Sequence, residues 1–155
     1  MRAAMATSFH HLFEQPQLRT AAAGLIHHEF WTEVEGASVE RMATRLAQAT
    51  DADRIPLCLV AVHDGALVGV VNLVEDDDSP EPGWTPWLAG MVVAPEWRGR
   101  GVGSQLVRRL LDEARRLGIG RVWFGTDGPG FYTRLGAVEH RHVPGDFRYM
   151  RFDLA

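Results

Sequence analysis

The spacing of hydrophobic positions changes along the chain, and each change marks an element. Residues 7–13, Thr-Ser-Phe-His-His-Leu-Phe, read as a short first strand. Pro16 then opens a helix with Leu18, Ala22, Leu25, Ile26 and Phe30 on one side, carried through His27, His28 and Glu29 to Trp31. After Glu35-Gly36, Ser38 is the expected cap of a second helix that buries Val39, Met42, Ala43 and Leu46. The spacing tightens again at Leu57 to His63, a near-continuous apolar strand. Asp64-Gly65 turns it, and Ala66 to Val74 returns as its partner. Strands this apolar imply a sheet covered on both faces.

A polar loop, Glu75 to Gly83, separates this hairpin from a strand over Trp87 to Val93, which Pro95 ends by removing a backbone donor. A long amphipathic helix follows. Its stripe is Val102, Leu106, Val107, Leu110, Leu111, Ala114 and Leu117, and Gly118 supplies the stop. On its wet face, Arg109 with Glu113 and Asp112 with Arg116 are expected as i,i+4 pairs. Arg121 to Gly125 is the next short strand. Phe131 and Leu135 then mark the inner face of a short helix ended by Gly136. Ala137 to Val143 and Phe147 to Leu154 flank Pro144-Gly145-Asp146 and read as a closing hairpin.

Composition narrows the class. A chain of 155 residues suits one domain, 1–155, and 46% hydrophobic with 23% charged residues is ordinary for a globular protein in water. The net charge of −4 argues against a nucleic-acid partner. No apolar run is long enough to span a membrane, and the segment from Met1 to Ser8 lacks the apolar core of a signal peptide. The lone Cys58 leaves no intramolecular disulfide and fits a reducing compartment, so a cytoplasmic location is expected. Every basic residue is arginine, which reads as composition rather than function.

The chemistry gathers between the central strand and the long helix, at Arg98-Gly99-Arg100-Gly101-Val102-Gly103. A helix start leaves N–H groups unpaired and carries partial positive charge. Glycines let the backbone approach a bulky anion, and Arg98 and Arg100 add two guanidinium forks. The stretch reads as a pyrophosphate cradle. A Walker A loop requires a lysine, and the chain contains none. A dinucleotide fingerprint requires G-x-G-x-x-G and a later acidic residue; here the glycines run G-x-G-x-G, and Asp112 and Glu113 fall inside the helix.

At these residues the chain resembles the GNAT acyl-CoA N-acyltransferase superfamily. Arg98, Gly101 and Gly103 match its [Arg/Gln]-x-x-Gly-x-[Gly/Ala] signature, and Phe131-Tyr132-Thr133-Arg134-Leu135-Gly136 matches its Phe-Tyr-x-x-Leu-Gly segment. The two motifs stand in the family's order, and the resemblance is sharp from Leu57 to Ala137. It implies an α/β fold: a mixed, mostly antiparallel sheet with helices on both faces and a splayed central strand pair. It also implies acetyl-CoA as cosubstrate. The expected contacts are Met91, Val92 and Val93 on the splayed strand, then Arg98, Gly99, Arg100, Gly101, Val102, Gly103 and Ser104 in the cradle. By the same resemblance, Phe30, Trp31 and Glu33 stand at the acceptor pocket, and a homodimer through sheet edges or C-terminal strands is a partner expectation.

Acyl transfer to an amine needs a polarised carbonyl, a neutral amine and a protonated leaving sulfur. A backbone N–H near Val92 is the family-like donor to the carbonyl. Tyr132, expected to point off the Phe131–Leu135 face, is the candidate general acid; a phenol with a pKa of about 10 can protonate a thiolate within reach. Glu75 and His28 are candidate bases. Glu75-Asp76-Asp77-Asp78 reads either as a solvated turn or as a rim that attracts a cationic amine. Thr126-Asp127-Gly128-Pro129-Gly130 departs from the family, which puts Asp127 in doubt as a cofactor contact.

No metal is expected: His10-His11 and His27-His28 are adjacent pairs that diverge, and His140-x-His142 lacks a third ligand at suitable spacing. Cys58 is expected to be an inert core thiol. The leading function is direct acetyl transfer, through a ternary complex, to a small-molecule or peptide amine. The alternative is a non-catalytic acyl-CoA-binding sensor.

Overall fold

The computed structural model describes residues 6–154, so most of the Met1–Ser8 reading lies outside the described residues. Its centre is one seven-stranded sheet: β1 (Ser8–His11), β2 (Leu57–His63), β3 (Ala66–Val74), β4 (Trp87–Val93), β5 (Arg121–Thr126), β6 (Val138–His142) and β7 (Arg148–Asp153). The spatial order is β1-β2-β3-β4-β5-β7-β6, antiparallel throughout except between β4 and β5. Four helices complete it: α1 (Arg19–Phe30), α2 (Val39–Leu46), α3 (Val102–Arg116) and α4 (Pro129–Thr133). The mixed, mostly antiparallel α/β architecture implied by the sequence is the one observed.

β2 explains why both faces are apolar. Leu57, Leu59 and Ala61 pack with Leu106, Val107, Leu110 and Leu111 of α3, while Cys58, Val60 and Val62 pack with Ala22, Ala23 and Ile26 of α1 and Met42 and Leu46 of α2. Alternating side chains thus enter two cores separated by one strand thickness. The cap of α2 is as expected: the Arg41 N–H donates to Ser38 Oγ at 3.0 Å, an interaction worth about 1 kcal/mol.

Three sequence expectations shift. Pro16 begins a 3₁₀ turn, Pro16–Leu18, and the regular helix starts only at Arg19. Phe30 is 52% exposed at the end of α1, because the helix stops there and its last side chain projects past the sheet. On α3 the ion pairs are i,i+3: Arg115 to Asp112 at 3.0 Å and Arg116 to Glu113 at 2.9 Å. Tertiary neighbours decide this. Arg116 also reaches Asp53 at 2.7 Å, Arg109 lies 4.3 Å over the Phe9 ring, and His11 Nε2 meets Glu113 Oε1 at 2.9 Å, tying β1 to α3.

Glu113 therefore carries a pH signal. Partial burial raises its pKa, but hydrogen bonds from Arg116 and His11 outweigh that and hold it below the ordinary carboxylate value. A depressed carboxylate stabilises the fold above its unfolded pKa, and the contribution is lost as pH falls through the folded one. Glu113→Gln is expected to cost about 1–2 kcal/mol at neutral pH and nothing once the wild-type carboxylate is protonated. Urea denaturation over a series of pH values from 7 downward reads the difference; a deficit that does not shrink as pH falls would refute it.

The junction of β4 and β5 positions the site. β4 is in register with β3 at Val70↔Val92 and again at Asn72↔Ala89, so Gly90-Met91 is a bulge with one extra residue on β4. Gly90 has φ +57°, a conformation that glycine adopts without the usual side-chain penalty. Bulges bend and twist the strand that carries them. β4 and β5 then share one register pair, Trp87↔Trp123, with the Trp123 N–H donating to the Pro86 carbonyl at 3.0 Å, and separate beyond it. The splay implied by the sequence is present, and it opens over Met91 to Val93.

Candidate active site

A cleft of about 480 Å³ fills the opening between the end of β4 and the start of α3. Met91, Val92, Val93, Arg98, Gly99, Gly101, Val102, Gly103 and Ser104 line it, joined by Glu29, Trp97 and Phe131. All the expected cofactor contacts except Arg100 therefore share one wall. Gly101 caps α3 with φ +82° and offers no side chain, so the first-turn N–H groups face the cleft without a capping oxygen. A Cβ on Gly99 or Gly101 would meet nothing within 4 Å; at these residues the backbone conformation requires glycine and leaves open space in front. A Cβ on Gly103 would stand 3.3 Å from both Phe131 and Val93, so there the packing is tight enough to favour glycine. Unpaired N–H groups, a positive helix end and open space fit a pyrophosphate.

The two arginines part company. Arg98 spans the cleft mouth, with Nη2 at 3.3 Å from Glu29 Oε2 and Nε donating to the Val93 carbonyl at 3.2 Å. Arg100 turns away to stack 4.8 Å over Trp97, because the intervening glycine conformations send the two side chains in different directions. Arg98→Ala is expected to weaken acetyl-CoA binding about 10-fold or more, the scale of a charge-assisted hydrogen bond. Arg100→Ala is expected to leave it nearly unchanged. Isothermal titration of both variants decides the assignment.

A second and larger cavity, about 1050 Å³, opens on the other side of the bulge. α1 and α2 supply Ile26, Phe30, Trp31, Met42 and Arg45; the loop after β3 supplies Glu75, Asp76, Asp77 and Asp78; the far wall holds Gly125, Asp127, Tyr132 and Phe147. Phe30 and Trp31, expected at an acceptor pocket, line this cavity. Glu33 is not in the wall, since it lies beyond the helix end, and His28 is on the exposed side of α1, lining neither cavity. Asp127 belongs to this larger cavity and not to the cradle. Glu75 is exposed at its rim. Burial raises the Asp77 carboxyl above its ordinary value; Arg45 opposes this, and the charges of Asp76 and Asp78 reinforce it. The loop is held at its far end by Trp84, stacked on Trp123 with ring centroids 4.7 Å apart and planes within 1°.

Met91 lines both cavities, Phe131 lines the cleft, and the larger cavity is lined by Tyr132. Its ring does not point off the core face as expected. It packs 4.5 Å from Phe124 and 4.9 Å from Phe131, because α4 is only a turn and a half long and presses consecutive aromatics onto the sheet. Burial pushes its hydroxyl up to about 12, so it stays protonated at neutral pH. Sequence reasoning missed Asn72, on the floor of the larger cavity, and Gly90 opposite it. Both had a signal: a lone amide in an apolar strand, and a glycine inside a strand pattern.

Other candidates stay outside. Among the described residues, no group of three His, Cys, Asp or Glu side chains could hold a metal ion, and no helix is long and apolar enough to cross a membrane. His140 packs edge-on against Trp84 and Trp123 and meets the Arg151 guanidinium at 3.0 Å. Cys58 is buried and its thiol is pushed up to about 12. It is expected to react with a disulfide reagent only after unfolding, and a native protein that titrates one thiol would overturn this.

Known proteins share this fold. An aminoglycoside 6'-N-acetyltransferase complexed with coenzyme A superimposes with a TM-score of 0.72 over 97% of this chain and 98% of that one, at 20% identity. A GNAT family N-acetyltransferase from Escherichia coli in complex with CoA gives 0.73 over 100% of this chain and 85% of that one, at 23% identity. Those likenesses define the fold. In sequence, the family model described as Acetyltransferase (GNAT) family matches residues 23–137. The chain belongs to the acetyltransferase (GNAT) family. A mycothiol acetyltransferase from Nocardia farcinica is 35% identical over 133 residues, covering 73% of this chain. The match spans only 42% of that relative's length.

Proposed function

We propose that the chain is an acyl-CoA-dependent N-acetyltransferase, acting as one domain, that moves an acetyl group directly from acetyl-CoA to an amine held in the same complex. One observation carries this reading: the two cavities meet at Met91, with the glycine turn and the start of α3 on one side and, on the other, an acidic and aromatic cavity that Tyr132 lines. Bound acetyl-CoA supplies the activated acyl group. The first turn of α3 and Arg98 hold its pyrophosphate, and the free edge of Met91–Val93 offers amide partners to the pantetheine arm. A backbone N–H of that segment polarises the thioester carbonyl.

Tyr132 gives its proton to the sulfur as the carbon–sulfur bond breaks and the carbon–nitrogen bond forms. The ammonium gives up one proton before attack, to the Glu75 carboxylate or to water in the open cavity, and a second as the carbon–nitrogen bond forms; one of the two is made good at Tyr132 through solvent. The acceptor is a cationic amine: Glu75, Asp76, Asp77, Asp78 and Asp127 against Arg41 and Arg45 leave the cavity wall negative.

Thiol release from acetyl-CoA tests the reading, measured over a panel of diamines, aminoglycosides, amino acids and peptides. The panel also includes a mycothiol-type substrate, after the name of the Nocardia relative. Saturable release with a cationic amine supports it. Tight acetyl-CoA binding with no release across the panel would favour a sensor, and no binding would refute the cradle.

A further inference from the structure

Asn72 is out of place in its strand. β3 reads Ala-Leu-Val-Gly-Val-Val-Asn-Leu-Val, and Asn72 is its only polar side chain, 6% exposed. Its polar atoms are not among the buried ones left without a partner, so the carboxamide tip reaches the open space of the larger cavity. Among the described residues, no side-chain hydrogen bond engages it; the side chain opens on the larger cavity. The strand opposite is shaped to leave it there. At the β4 bulge, a Cβ on Gly90 would stand 2.9 Å from Asn72 Nδ2, so the bulge carries a glycine where the carboxamide passes. The next residue, Met91, is where the two cavities join.

A carboxamide offers one accepting oxygen and two N–H donors, and it does not take up a proton near neutrality. It therefore fits a hydrogen-bonding role better than that of a base. The carboxylates of the wall differ from it in position: Glu75 is exposed, and Asp76, Asp77 and Asp78 continue outward along the rim loop. They can draw a cation into the cavity. Asn72, on the floor next to the bulge, can orient one nitrogen. We propose that Asn72 is an acceptor-binding residue whose carboxamide oxygen accepts a hydrogen bond from the reacting amine and turns its lone pair toward the carbonyl held over Met91. This rests on the transferase reading above.

Asn72→Leu and Asn72→Ser test it. The probes are acetyl-CoA for binding, and 1,4-diaminobutane with the fastest amine of the panel for transfer. Removing a hydrogen bond to a charged or reacting group is expected to lower kcat/KM for the amine about 10- to 100-fold in Asn72→Leu, with acetyl-CoA affinity unchanged. Asn72→Ser, which keeps a small hydroxyl, is expected to retain more activity. Asn72→Leu is expected to stay folded and to melt near the wild-type temperature, which separates a binding role from a packing one.

Amine kcat/KM within twofold of wild type in a folded Asn72→Leu protein would overturn the proposal. So would an equal loss of acetyl-CoA affinity. Failure of the wild type itself to bind acetyl-CoA is a different result, read before any variant is made, and overturns the transferase reading.

Discussion

Tyr132→Phe is expected to lower kcat by about 100-fold or more while leaving acetyl-CoA affinity and fold stability nearly unchanged. The ring makes the packing contacts with Phe124 and Phe131, and phenylalanine keeps them. Only the proton is lost. Because burial holds the hydroxyl at about 12, the wild-type acid stays loaded through the whole neutral and mildly alkaline range. Any alkaline fall in kcat well below that value belongs to another group, and it is expected to persist in the variant. The raised pKa has a stability consequence of the same sign as that of Cys58: both groups are neutral in the fold, so stability is kept below their unfolded values and drains away as pH rises toward about 12. Thiol release in steady state, with acetyl-CoA binding by calorimetry alongside, measures the first effect. Equal turnover in variant and wild type would remove Tyr132 from the mechanism.

The second large effect is on binding. Gly103→Val is expected to raise the acetyl-CoA Kd by about 100-fold or more, the loss of roughly two charge-assisted hydrogen bonds. A Cβ there already meets Phe131 and Val93 at 3.3 Å, and the branch adds two methyl groups in the first turn of α3. Either the turn moves away from β4 or the methyls enter the cleft, and in both cases the N–H groups no longer converge on one anion. The strain is expected to cost about 1–3 kcal/mol of stability, small enough for the protein to remain folded. Calorimetry beside a thermal melt checks it, and wild-type affinity in a folded Gly103→Val protein would move the phosphate site elsewhere. Together the two substitutions separate the chemical step from the binding step.

How much of this was legible follows from the range of the interactions concerned. The stripe of α3 and the alternating burial of β2 are set within one element by period alone, so Leu106, Leu110, Val60 and Leu59 could be placed on their faces from spacing. The lining of the cleft was legible because a strand, a glycine turn and a helix start are contiguous in the chain. What differed was decided by neighbours that a hydrophobic period does not contain. Arg100 satisfies the same local pattern as Arg98, yet the ring of Trp97 takes it. Glu113 has an i−4 partner in Arg109 but bonds Arg116 and His11. His28 and Glu33 are close in sequence to residues that line the larger cavity and outside its wall in space. The bulge at Gly90, and with it the place of Asn72, depends on register between two strands, which no single-strand pattern contains.

The single register pair between β4 and β5 has a further consequence, for hydrogen exchange. With Trp87↔Trp123 as the only rung, the amides on the two sides of the splay are not protected by a common ladder. β5, β7 and β6 with α4 are expected to exchange as one cooperative group, and β1 to β4 with α3 as a slower one, the two linked through the Val122 and Phe124 packing. Saturation with acetyl-CoA is expected to slow exchange at Val93 and in the first turn of α3 most, and then to bring the two groups toward a single rate. In the free protein the rift is a line of mechanical weakness; filled, it becomes the seam that makes the two halves open together.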